Sequence, residues 1–226
     1  MEVSLSSKKT PWIRLAILVG IAIATGWLWH HPILWPLKVS VVLFHELGHA
    51  VATWATGGTV ESITLSPLEG GLTMSRGGWR LVILNAGYLG SLLTGFGFLA
   101  STKVPLLPRI LTIGLAVGLA AVTVLLIPWF SFGFWFTGVT ALAFAAMSAL
   151  LPGFALRWLL RGLGVFSILY AALDVWSDIF ARALDTSVVS DAVMLQQATG
   201  VPSLVWGGAW VVAGAALLII GRRWLI

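Results

Sequence analysis

His45-Glu46-Leu47-Gly48-His49 is where this sequence offers chemistry most openly. The two histidines are four residues apart, so on a helix they share a face and both imidazoles can reach one zinc ion. A glutamate beside the first histidine is placed to act as general base toward a water that the metal activates. The pentad alone is a loose pattern. Its setting sharpens it, because Val39 to Trp54 reads VSVVLFHELGHAVATW and holds no other charged residue than Glu46. An ionisable group at membrane depth costs about 3 kcal/mol on insertion scales and marks function by default.

A catalytic zinc site takes three protein ligands and leaves one position open. The chain has no cysteine, so the third ligand is His30, His31, an aspartate or another glutamate. His30 and His31 adjoin Pro32 at the end of an apolar run, which suits an interfacial, solvated role. Asp174 and Asp178, in LDVWSD, lead the candidates. They are four apart and share a helix face, so one can bind metal while the other holds a histidine ring through its second nitrogen. The competing reading puts both at a fraying helix end near Arg182 and Asp185. For His45 and His49 the competing reading is a polar packing patch or a proton path.

Asn85 opens the stretch NAGYLGS at 85–91. Ala86, Gly87, Gly90 and Ser91 are small enough to let a second helix approach closely. Asn85 is then either a packing residue or a hydrogen-bond donor to a substrate backbone or a developing oxyanion.

The elements that must position these residues are helices in lipid. Of 226 residues, 59% are hydrophobic and 9% charged, and the mean hydropathy is +1.00. A soluble domain carries about 25% charged residues. The composition therefore predicts an all-α polytopic membrane protein, a single transmembrane domain over 1–226 with its core at 34–181. The net charge of +5 comes from basic residues that flank apolar runs, as membrane-edge charges do, which argues against a nucleic-acid partner. Spans are expected near 12–29, 34–56, 79–101, 107–127, 132–151, 158–181 and 202–220, six or seven in all.

Lys8, Lys9 and Arg14 precede the first apolar run, and no small-residue cleavage site follows it, so an uncleaved first span is expected. These charges favour a cytoplasmic N-terminus in the cell membrane. Spans two and six run parallel in this scheme. His45, His49, Asp174 and Asp178 all fall in the C-terminal halves of those spans and so at similar depth. Between spans two and three, Thr59 to Ser66 is rich in β-formers, Gly70-Gly71 signals a turn, and Leu72 to Ser75 can return as a second strand. A short β-hairpin after the metal-binding helix is expected.

In this combination the chain resembles the site-2 protease family of intramembrane zinc metallopeptidases. The likeness is carried by HELGHA at 45–50, NAGYLGS at 85–91 and LDVWSD at 173–178, in that order and each in an apolar segment. It looks closest to a compact, divergent branch in which a segment like SDAVMLQQATGVP at 190–202 also recurs. The resemblance implies that His45, His49 and Asp174 hold Zn2+, with Asp178 in support or as the alternative ligand. It implies that Glu46 activates water to cut a peptide bond in a transmembrane segment of a partner protein. It also implies that the hairpin pairs with the unwound substrate by strand addition. Two departures stand out: Val175 follows Asp174 where the family has glycine, and Tyr88 follows Ala86-Gly87 where it has proline. The rival reading is a non-catalytic zinc-binding scaffold or a transporter, although the inverted repeats common in transporters are not evident.

Overall fold

A computed structural model describes residues 16, 19, 20, 23–176 and 190–225. A 3-10 turn at Pro32–Leu34 leads into α1 (Trp35–Ala55), followed by β1 (Thr59–Ser66) and β2 (Gly70–Arg76). Then come α2 (Arg80–Ser101), α3 (Leu107–Leu125), α4 (Phe132–Leu150), α5 (Gly153–Trp176), α6 (Asp191–Thr199) and α7 (Ser203–Leu225). The chain is mostly helical, with one small antiparallel sheet of two strands.

Helix ends follow local chemistry. The His31 side chain accepts a hydrogen bond from the Ile33 N–H and so caps the 3-10 turn, a role consistent with its place beside Pro32. Between α3 and α4 the chain turns at Phe130, whose φ is +60°, and Ser131 caps α4 through the Phe134 N–H. Ser190 caps α6 through the Val193 N–H, and Gly200 closes that helix in the left-handed conformation.

Among the described residues, α2, α3, α4 and α5 are long and apolar enough to cross a membrane. This is a multi-pass membrane protein. The expected six or seven spans are not all matched. Although α1 has 21 residues and a length of roughly 31 Å, Lys38, Ser40, His45, Glu46, His49 and Thr53 dilute its apolar character. The first expected span lies partly outside the described residues.

Close glycine contacts set the helix packing. A Cβ on Gly90 would stand 2.9 Å from the Gly48 Cα, and one on Gly48 would collide with the Ala86 carbonyl. On the other side of α2, a Cβ on Gly95 would stand 2.8 Å from the Gly164 carbonyl oxygen. Apolar side chains gain little from leaving lipid for protein, so backbone-to-backbone approach of this kind is what gives membrane helices close packing. α2 is thus clasped between α1 and α5. More than half of α1 is buried, including the consecutive run Val41 to Phe44, so the helix is packed on more than one face. Phe44, Phe98 and Phe144 interlock at centroid distances of 5.9 to 6.4 Å, which fills the space between α1, α2 and α4.

The expected hairpin is present. Its register pairs Thr64 with Leu72 and Ser66 with Gly70, with a bulge between Val60 and Ser62. Ile63 is fully buried, and its N–H donates to the Leu126 carbonyl at 2.9 Å. That bond ties β1 to the end of α3. At the hairpin tip, Trp35 Nε1 donates to the Pro67 carbonyl at 2.7 Å, and Lys38 Nζ meets Glu69 Oε1 at 3.2 Å. The hairpin is therefore fastened at the middle of β1 and at its tip, which lies against the N-terminal end of α1.

Candidate metal centre

His45 and His49 lie one helical turn apart on α1, with ring centroids 4.8 Å apart. The His49 Nδ1–H donates to the Ile83 carbonyl at 2.7 Å. A carbonyl can only accept, so this bond places the proton on Nδ1 and leaves Nε2 with a free lone pair, the arrangement a metal ligand requires. His45 Nε2 and His49 Nε2 stand 3.0 and 3.2 Å from the same atom, Asp191 Oδ2. One donor atom from each of the three residues falls within a 4.8 Å group.

These residues fit a zinc ion. Ligand atoms about 2.0–2.2 Å from zinc at tetrahedral angles stand roughly 3.4 Å from one another, close to the two His–Asp separations here. Two imidazole nitrogens and a carboxylate oxygen are ordinary zinc donors. Space for an ion comes from Gly87 on α2, where a Cβ would collide with His45 Nε2 and His49 Nε2. Glu46 is 5% exposed, His49 8% and Asp191 8%, so the donors are shielded without being sealed.

The sequence points to Asp174 as third ligand; among the described residues the carboxylate against both imidazoles is that of Asp191, the first residue of α6. Asp174 lines the same cavity but is not in the three-residue group. Asp178 lies outside the described residues. Asp174 sits in the long apolar helix α5, whereas Asp191 sits on a nine-residue helix too short to span a bilayer. The signal in the sequence was Ser190-Asp191 opening a capped helix within the segment at 190–202.

Glu46 projects to the side of the cavity covered by β2. Thr73 Oγ1 lies 2.7 Å from Glu46 Oε2 and 3.0 Å from the Glu46 carbonyl. A Cβ on Gly71 would stand 2.5 Å from Glu46 Oε1. The cavity, about 720 Å³, is lined by His45, Glu46, His49, Asp174 and Asp191 on one side and by residues 70–73 of β2 on another.

A family model described as Peptidase M50B-like matches residues 18–221. The chain belongs to this family, the site-2 protease family. No curated protein and no solved structure matches it. Membership makes the chain a metallopeptidase at the level of family, and the paired histidines with Asp191 are the group that could hold its metal.

In this M50B-like chain the NAGYLGS stretch supports the histidines. Tyr88 packs edge-on against His45, with centroids 4.7 Å apart at 88°, and stacks on Trp210 of α7 at 4.4 Å. Trp210 Nε1 donates to Asn85 Oδ1 at 2.9 Å, while Asn85 Nδ2 donates to the Leu81 carbonyl at 2.8 Å. Asn85, a candidate for substrate contact, thus has both ends of its amide engaged within the fold, and it is not among the residues lining the cavity.

Proposed function

We propose that this chain is an intramembrane zinc endopeptidase that hydrolyses a peptide bond in a transmembrane segment of a partner protein. The observation that carries the reading is the convergence of a His2Asp donor set, an adjacent buried glutamate and a strand edge in one cavity. Zinc, when bound by His45, His49 and Asp191, would polarise the scissile carbonyl and make water acidic enough to attack at neutral pH. Glu46 takes a proton from the attacking water and returns it to the leaving amine. His49 is kept in the ligand tautomer by the Ile83 carbonyl, and Tyr88 limits the tilt of the His45 ring. Because β1 is tied to Leu126 and residues 70–73 line the cavity, β2 is the strand to which an unwound substrate would add. The working environment is the bilayer, and the reading includes the cell membrane as location with the N-terminus in the cytoplasm.

The test is Glu46→Gln in the purified full chain, with zinc content and cleavage of fluorescently labelled casein measured side by side. Zinc should stay at the wild-type level while cleavage falls by about 10²- to 10⁴-fold, the usual worth of a general base. Unchanged cleavage by the variant removes Glu46 from the chemistry. A wild-type chain that holds zinc and cuts neither casein nor any transmembrane peptide favours a non-catalytic scaffold.

A further inference from the structure

The Glu46 carboxylate is not aimed by its own helix alone. Each of its oxygens meets the hairpin: Oε2 lies 2.7 Å from the Thr73 hydroxyl, and Oε1 occupies the space that a side chain at Gly71 would fill. Gly71 and Thr73 are two apart on β2, so they face the same way. The hydroxyl is also 3.0 Å from the Glu46 main-chain carbonyl. With one proton to give, the hydroxyl has its shorter contact to the carboxylate, and that bond restrains the Glu46 side chain against β2. A free glutamate has three side-chain torsions to settle before it can reach a water at the metal, and ordering such a side chain costs about 1.5–2 kcal/mol.

We propose that Thr73 is a positioning residue, holding Glu46 in the orientation from which it takes the proton of the attacking water, so that the strand expected to receive substrate also aims the base. The inference rests on the reading of Glu46 as general base. It assigns to β2 a task besides substrate pairing.

Two substitutions separate positioning from packing. Thr73→Val keeps the shape and removes the hydroxyl; Thr73→Ser keeps the hydroxyl and removes the methyl. With labelled casein as probe, kcat should fall by about 10- to 100-fold in Thr73→Val, the scale of one hydrogen bond to a charged group. KM and zinc content should stay at wild-type values, and Thr73→Ser should restore kcat to within about threefold of wild type, since its hydroxyl remains. A second measurement needs no turnover: the infrared difference between wild type and Glu46→Gln isolates the Glu46 carboxyl band, which should shift in Thr73→Val and stay in place in Thr73→Ser. An unmoved band, an unchanged kcat in Thr73→Val, or an equal loss in both Thr73 variants overturns the proposal. If Glu46→Gln cleaves as well as wild type, the peptidase reading fails; if that variant is dead and Thr73→Val is not, only the positioning role fails.

Discussion

Asp191 Oδ2 stands 3.0 Å from His45 Nε2, although 146 residues of chain separate them. The contact closes the donor group from outside α1, and it makes a sharp distinction between two carboxylates of one cavity. In Asp191→Ala, zinc content measured by elemental analysis should fall by at least tenfold, about 1.4 kcal/mol or more of lost ligation. Asp174→Ala should keep zinc near the wild-type level. The opposite pattern would return the third ligand to α5.

Gly87 should be intolerant of any side chain. Its hydrogen points at both imidazole Nε2 atoms, and a methyl there would fill the space between them. Gly87→Ala should lose zinc while remaining folded, because alanine is a better helix former than glycine by about 1 kcal/mol. Circular dichroism in detergent alongside zinc analysis checks this. Retention of zinc with unchanged affinity would mean that an ion sits elsewhere.

The Lys38–Glu69 pair should hold the hairpin tip. Lys38 is 7% exposed, and its ammonium lies 4.7 Å from the Trp29 ring. Glu69→Ala leaves that ammonium without its carboxylate, at a cost of about 1–3 kcal/mol given that Glu69 itself is partly solvated. Limited proteolysis should cut near Pro67 and Leu68 faster in Glu69→Ala than in wild type. Exchanging the two, Lys38→Glu with Glu69→Lys, should recover part of the protection.

Trp210 links α7 to the histidines through Tyr88. Trp210→Phe keeps a ring on Tyr88 but loses the bond to Asn85, and it should cost about 1 kcal/mol. Trp210→Ala also empties the stack and should cost about 3–5 kcal/mol. Thermal unfolding followed by fluorescence gives the order. Equal effects from both would mean that the hydrogen bond alone matters.

Much of this protein is written locally. Two histidines four apart put their rings on one face in any helix, and Glu46 follows from adjacency to His45. The β-formers from Thr59 are a short-range signal, and the hairpin forms where they lie, although its turn falls at Pro67–Glu69 and the expected turn residues Gly70 and Gly71 are already paired in β2. The small residues of NAGYLGS announced a close helix crossing, and Gly48 against Gly90 is that crossing.

The third carboxylate was beyond local reading. Of eight acidic residues, seven besides Glu46 compete for the role, and sequence spacing says nothing about which of them lands beside His45 once several helices have packed. Only the tertiary structure brings Asp191 beside both imidazoles, by folding the short helix α6 against α2 so that its first residue faces α1. The same holds for Thr73 and Glu46. The hairpin is legible in the strand pattern, but that its second strand lies over the glutamate depends on how β1 is tied to Leu126 and how the tip is tied to Trp35 and Lys38. Periodicity fixes which side chains share a face; which faces meet is decided by packing between distant segments.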